Sequence, residues 1–342
     1  AYLVSPEFIN NIYMQISLGR LKIVYPVCCG MDVHRDFLIA CIATTNAQGV
    51  TEYQSRRFST YTGSLRELRD WLLANDCKDV CMESTGKYWF PVHNILEESC
   101  HVVVSHPKFV KAIKGKKTDK KDAQWIADLF KHDLVRGSFI PPKDIRQLRD
   151  LCRYWVKLSS YMTGEKNRAQ NCLTVSNFKL DDVFSNVFGK SASAITTQLL
   201  EHPGEQFDVA PFVDGRCKTP IAQIQEAVDG IFTYEQAEKL KIIRGHMDSL
   251  ERHKAELESL ILEIAQNYLP QIELLLTVPG IHDAFTAIRI LAEIGADMTV
   301  FDTSKHLCSW AGLTPQNAES AGKKKTTRIG KSGAYLKPLL IQ

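Results

Sequence analysis

Four carboxylates stand where they could share metal ions: Asp32 in CGMDVHRD, Glu83 in CMESTG, and Asp119 and Asp122 in KTDKKDAQW. The last two are three residues apart at the start of an amphipathic pattern, so on a helix both project from one face. Four acids brought together unaided would repel and be driven partly to the protonated form, which cations relieve. Hard oxygen donors suit Mg2+, which binds through one or two carboxylates plus water and phosphate. Two such ions ~3.5–4 Å apart can activate an attacking oxygen and stabilise a leaving one at a phosphodiester; Mn2+ would substitute. Lys114, Lys116, Lys117, Lys120 and Lys121 surround the final pair of acids and would form an electrostatic bed for a nucleic-acid strand. Each acid has a plainer reading by itself. Asp32 could form a strand-end turn, Glu83 could cap a helix, and Asp119 and Asp122 could be the N-cap and its N3 partner. The four together, in this order, favour the metal site.

The elements that would position them read as α/β from Val24 to Ile140. IVYPVCCGMD, FLIACIATT and TEYQSRRFS predict three strands in an antiparallel meander. A helix follows over about 64–74, with Leu65, Leu68, Trp71 and Leu72 on one face. DVCMES is a short buried strand, WFPVHNILEES a helix interrupted near Pro91, HVVVS another buried strand, and Asp119–Phe130 a final helix. The order βββαβαβα is that of a ribonuclease-H-like fold, which brings these strand ends and the last helix to one sheet edge.

Pro141-Pro142 marks a boundary. Beyond it, Leu148, Leu151, Trp155, Leu158 and Met162 keep helical spacing, interleaved with Arg149, Arg153, Lys157, Lys166 and Arg168. A mixed insertion occupies 177–230. From Leu240 to Tyr268 a heptad seam is broken only by Lys254, a polar position that can set register or partner number. An intramolecular hairpin and an intermolecular coiled coil fit that seam equally. After Pro270, helix, turn Val278-Pro279-Gly280-Ile281 and helix suggest a helix-hairpin-helix, in which Gly280 would let helix-start amides approach a DNA phosphate; a plain αα-hairpin competes. The expected parts are thus a 1–23 extension, a 24–140 catalytic domain, a 141–270 helical spacer and a small helical domain over 271–342. TRIGKSG ends like a phosphate-binding loop, but the required earlier Gly falls at Lys325, so no ATP site is expected.

Composition is that of a globular protein, with 44% hydrophobic and 24% charged residues among 342. Net charge is only +3, so any polyanion affinity must come from local clusters. Ten cysteines occur without a C-x-x-C pair, which predicts buried, reduced thiols rather than zinc or disulfides. No apolar run reaches the ~18 residues of a membrane span, and no secretory signal is visible. The chain starts at Ala1 and stops within a helical pattern, as a fragment would.

GMDVHRD, MESTGKYW and KTDKKDAQWIADL resemble the D, E and D-x-x-D boxes of the DEDD transposases of the insertion-sequence 110 family. VPGI and FDTSKHLCSWAGLTPQNAESAGKKKTTRIGKSGAYLKPLL resemble that family's second domain. The resemblance spans about 27–135 and 274–340. It implies a RuvC-like nuclease domain with Asp32, Glu83, Asp119 and Asp122 as Mg2+ ligands. It also implies a nucleophilic serine matched by Ser320, although Ala321 stands where many members have Gly. The residues alone would not single out Ser320 over Ser309 or Ser332.

With no histidine within ten residues of Ser320, the metal ions would activate its hydroxyl, a weak nucleophile when unassisted. Lys323, Lys324, Lys325, Arg328 and Lys331 would hold the nucleic acid. Partners implied are DNA at the element ends and target, a structured guide RNA, and further copies in a homodimer or homotetramer, in a prokaryotic cytoplasm. Two alternatives remain at this level. One is a Holliday-junction-resolving nuclease using only the four carboxylates; the other is a non-catalytic nucleic-acid-binding protein. Trp89 reads as core, and Tyr88 as either core or a base-stacking ring.

Overall fold

Alternation along the first strand assigns each side chain to one of two faces, and much of the fold follows from that assignment. The computed structural model describes residues 21–107, 118–315, 318–320, 323–326, 329 and 333–341, with the backbone alone at 318–320 and 323–326. Two compact units divide at Ile140 and Pro141.

In the first unit, β1 (Val27–Val33), β2 (Phe37–Thr45) and β3 (Thr51–Ser59) are antiparallel neighbours. Helix α1 (Thr62–Ala74), β4 (Asp79–Glu83), α2 (Trp89–Leu96), β5 (His101–Ser105) and α3 (Asp119–Lys131) follow. Sheet order is β3-β2-β1-β4-β5, with β4 parallel to both β1 and β5. This is the ribonuclease-H-like arrangement expected from the element order.

Cys29, Met31 and Val33 of β1 enter one core with Leu38, Ala40 and Ile42 of β2, covered by Leu65, Leu68 and Leu72 of α1 and Val92 and Leu96 of α2. Burying each such leucine contributes about 1.5–3 kcal/mol. Helix α2 runs unbroken through Pro91, contrary to the expected interruption. Pro91 lies in the first turn, where its missing N–H would have had no partner in any case. Trp89 is buried, as expected, and Tyr88 is exposed.

Cys28, Gly30 and Asp32 point to the opposite face. There Cys28, Ala43 and Cys81 meet Ile126, Ala127 and Phe130 of α3. Small side chains on this face let the helix lie close to the sheet. All ten cysteines are free and eight are buried; in this core they act as small apolar residues.

The end of α3 is tied to β3. Lys131 Nζ donates to Asp128 Oδ1 (2.6 Å), the Tyr53 hydroxyl (3.2 Å) and Thr51 Oγ1 (3.3 Å), and Tyr53 also donates to Asp128. Lys131→Met removes the cation from a partly buried network. Stability should fall by about 1–3 kcal/mol, read from urea unfolding; an unchanged midpoint would mean that water replaces the ammonium at no cost.

The second unit is mostly helical. It comprises α4 (Lys143–Val175), α5 (Leu180–Val183), α6 (Lys190–Glu201), α7 (Ile221–Ala227), α8 (Tyr234–Ala265), α9 (Leu269–Leu276), α10 (Ala284–Ile294), α11 (Ser304–Trp310), the β6–β7 ribbon (Ala318–Ser320, Lys323–Thr326) and α12 (Lys337–Ile341). Helices α4 and α8 form an antiparallel hairpin: Leu158 shares a core with Leu250 and Leu257, and Cys172 and Leu173 share one with Leu240 and Ile243. The heptad seam is therefore used within the chain. Lys254, its polar break, places Nζ 4.3 Å from the centre of the Trp155 ring, while Trp155 Nε1 donates to Glu258 (2.7 Å).

The 177–230 insertion packs Phe178, Ile195, Val209 and Ile224 onto the far end of the same hairpin. Arg153 holds both carboxylate oxygens of Glu293 at 2.7 Å, and Arg149 donates to the carbonyls of Ala292 and Glu293. Two cations of the interleaved basic stretch thus anchor α10. Between α9 and α10, Gly280 takes a φ of 96°. The start of α10 is capped by Asp283, which accepts from Thr286 N at 2.8 Å. What the backbone shows is an αα-hairpin whose helix start is occupied by a carboxylate. Gly280 serves the turn, and Asp283 accepts from one amide of that helix start. Among the described residues no helix is long and apolar enough to cross a membrane.

Candidate functional site

Asp32 and Glu83 are brought side by side by strand register. Met31 pairs with Met82 across the parallel β1–β4 ladder, and each acid follows directly, on neighbouring strands about 4.8 Å apart. Thr85 Oγ1 donates to Glu83 Oε1 at 3.1 Å and orients it.

Asp119 and Asp122 arrive on α3. That helix is capped by Thr118, whose side chain accepts from Lys121 N (3.3 Å). Asp119 is therefore not the N-cap, and neither acid is needed to cap the helix. What lets α3 reach β1 is Gly30. A Cβ there would lie 2.3 Å from both the Ala123 carbonyl oxygen and the Ala127 nitrogen. Gly30 and Asp32 are two apart on the strand and share a face, so the close approach that Gly30 permits is also what delivers the helix start to Asp32.

The electrostatics show the convergence. Asp32 has only 14% of its side chain exposed. Burial pushes its carboxyl above the ordinary aspartate value; His34 opposes this, and Asp119, Asp122 and Glu83 add to it. All three other acids thus act on Asp32.

A fifth residue enters here that the motif reading passed over. Oxygens of Asp32 and Asp119 and a ring nitrogen of His34 all lie within 4.8 Å of one another. His34 Nε2 stands 3.2 Å from Asp32 Oδ2 and 3.8 Å from Asp119 Oδ1. A signal was present in the sequence: His34 is two residues beyond Asp32, just past the end of β1, where continued alternation keeps the same face.

The donor set fits a divalent ion. Cis ligands of an octahedral ion bound at ~2.1 Å stand about 3 Å apart, close to the observed His34–Asp32 spacing. A cation would also favour the charged form of Asp32 against the burial and the neighbouring acids that raise its carboxyl.

The basic residues are distributed as follows. Lys120 and Lys121 are exposed on the first turn of α3. Lys114, Lys116, Lys117, Arg328 and Lys331 lie outside the described residues. Ser320 ends β6 and pairs with Lys323, while Glu319 pairs with Lys324; Lys325 lies on the same ribbon, in β7.

Comparison with known families gives two matches. The DEDD transposase model of the IS110 type matches residues 29–177. A model described as transposase IS116/IS110/IS902 family matches residues 272–342. Together they span well over half the chain. A search of curated proteins returned no significant match. Among solved structures, RuvC of Thermus thermophilus is similar at 11% identity, with a TM-score of 0.27 and coverage of 33% of this chain and 99% of that one. A Fowlpox virus resolvase solved with Holliday junction DNA is similar at 14% identity, with a TM-score of 0.21 and coverage of 30% and 72%.

Proposed function

This chain belongs to the IS116/IS110/IS902 family of transposases, and on that premise we propose that it exchanges DNA strands through a phosphoserine link, with Asp32, Glu83, Asp119 and Asp122 holding divalent ions and a structured RNA selecting the target. As a family member it is a DNA-cleaving and recombining enzyme. The observation that carries the finer reading is the meeting of Asp32 and Asp119 at the sheet edge, with Glu83 and Asp122 near enough to raise the Asp32 carboxyl.

When bound there, Mg2+ ions supply the positive charge that favours an attacking and a leaving oxygen at a phosphodiester. The protein's own groups do the rest. Ser320 Oγ attacks phosphorus, a new Oγ–P bond forms, and the P–O3′ bond breaks. The serine proton ends on the released 3′ oxygen. Lys323, Lys324, Lys325 and Arg328 stabilise the charge that builds on the phosphate. Attack by the 3′ hydroxyl of a partner strand then reverses the step, so strands are exchanged without ATP. The guide RNA, which would carry target sequence outside the protein, and assembly into dimers or tetramers rest on the family resemblance.

The test uses DNA from the locus that encodes the chain, incubated with the full protein and Mg2+. Wild type is expected to yield a protein–DNA adduct that survives denaturation. Ser320→Ala should lose the adduct and reduce strand exchange by about 10^3-fold, equivalent to ~4 kcal/mol of barrier. If the variant still cleaves at the wild-type rate, water is the nucleophile and the enzyme works as a junction nuclease does. Nucleic acid extracted from the same preparation should contain one discrete RNA encoded beside the gene; a random mixture would remove the guide from this account.

A further inference from the structure

We infer that His34 is an inner-sphere ligand of the divalent ion held by Asp32 and Asp119, which makes this a mixed nitrogen–oxygen site that takes Mn2+ in preference to Mg2+. The inference rests on the carboxylate reading above and adds to it a ligand outside the four acids.

Geometry carries it. Nε2 of His34 is shielded from solvent and makes no hydrogen bond among the described residues, although it stands 3.2 Å from Asp32 Oδ2 and 3.8 Å from Asp119 Oδ1. The Asp32 contact has ion-pair distance without hydrogen-bond alignment. The Asp32 separation is near the ~3 Å expected between neighbouring ligands on one ion, and the Asp119 oxygen belongs to the same group of ligand atoms within 4.8 Å of one another. A ring that served only as a counter-charge to Asp32 would gain most by aligning an N–H on a carboxylate oxygen, and His34 does not do so.

The ring is also held in place from behind. His34 N donates to the Phe37 carbonyl at 2.9 Å and closes the β1–β2 turn. The imidazole leans on the Phe37 ring, with centroids 4.7 Å apart and planes at 40°. The Arg57 guanidinium in turn lies 4.1 Å from the Phe37 ring centre. Such support behind a ligating histidine orients the ring toward the ion.

Chemistry gives the consequence. Mg2+ strongly prefers oxygen donors, whereas imidazole suits softer divalent ions. Exchanging one oxygen ligand for imidazole nitrogen therefore shifts selectivity away from Mg2+ toward transition-metal ions, of which Mn2+ also suits the carboxylate oxygens that make up the rest of the site.

The experiment is a Mn2+ titration of the full chain at fixed pH, without DNA. Electron paramagnetic resonance counts the free ion, and spin-echo modulation detects directly bound nitrogen. Wild type should bind Mn2+ with an imidazole-nitrogen modulation. His34→Gln should lose that modulation, bind Mn2+ at least about tenfold more weakly, and lose less affinity for Mg2+. The side chain of His34 is 39% exposed, so the variant is expected to keep the fold, which its melting curve checks, and His34→Ala serves as a second replacement under the same check. Retention of the nitrogen modulation in His34→Gln, or its absence from wild type, overturns the inference. The carboxylate reading fails separately, if Asp32→Asn binds Mn2+ as wild type does.

Discussion

Asp32→Asn should reduce strand cleavage by about 10^3-fold or more, and at the same time make the metal-free protein more stable at neutral pH. The loss follows from removing the acid on which the others converge; a thousandfold effect corresponds to ~4 kcal/mol of transition-state stabilisation. The gain follows from linkage. Burial first, then Asp119, Asp122 and Glu83, raise the Asp32 carboxyl above 3.8, against the opposing influence of His34. A carboxyl raised in the folded state contributes stability that is fully present below its unfolded value and is lost as pH rises through its folded value. Asparagine mimics the protonated form at every pH. Melting curves recorded with a chelator should therefore put the variant above wild type at neutral pH, and the difference should vanish below about pH 3.8. Mg2+ should raise the wild-type melting temperature by binding the native state and leave the variant unmoved. A variant less stable than wild type at neutral pH without metal would refute the idea that burial and the neighbouring acids hold Asp32 in an unfavourable charged state that an ion relieves.

Gly30→Ala is expected to damage both fold and activity from a position with no chemistry of its own. Gly30 is not among the glycines with positive φ, so the backbone would accept alanine, and alanine loses less conformational entropy on folding than glycine. Space is the obstacle. The added carbon would meet backbone atoms of Ala123 and Ala127 at 2.3 Å, and helix backbone cannot swing aside as a side chain can. Helix α3 would have to lift off the sheet. Overpacking of this kind costs about 3 kcal/mol. Asp119 and Asp122 would move with the helix, and a misplacement of about 1 Å at a reacting centre is worth ~10^2-fold in rate. Urea unfolding reads the first effect. Mg2+-dependent stabilisation, which needs no DNA, reads the second. A variant with wild-type stability and full response to Mg2+ would show that α3 can be displaced without disturbing the site.

The contrast between these residues explains what could be read in advance. The acids were legible because Asp119-x-x-Asp122 has helical spacing and because Asp32 and Glu83 end apolar runs that read as strands. Pro91 misled because a proline in a helical pattern looks like a break, and only its place in the first turn makes it harmless. The αα-hairpin around Gly280 was visible, but not the cap that Asp283 gives its second helix. Arg149 and Arg153 stood in an interleaved run of basic residues, and only the structure shows that they hold Glu293 and the end of α10. Charge in a sequence does not say what it faces.

By itself the sequence determined the element order, the placement of the four acids on strand ends and a helix start, the meander and the heptad seam, since these depend on periodicities of two and 3.6 that the chain carries locally. The tertiary structure alone decided three things. The seam of α8 closes on α4 of the same chain, because the intervening insertion folds against the far end of that hairpin and so permits the return. Gly30, flanked by Cys41 and Cys81 on neighbouring strands, became the point where a helix touches a sheet, a contact between residues about ninety positions apart. His34 became a neighbour of Asp119 across a similar span. Each depends on distances between segments remote in sequence, and such distances exist only once both faces of the sheet are packed.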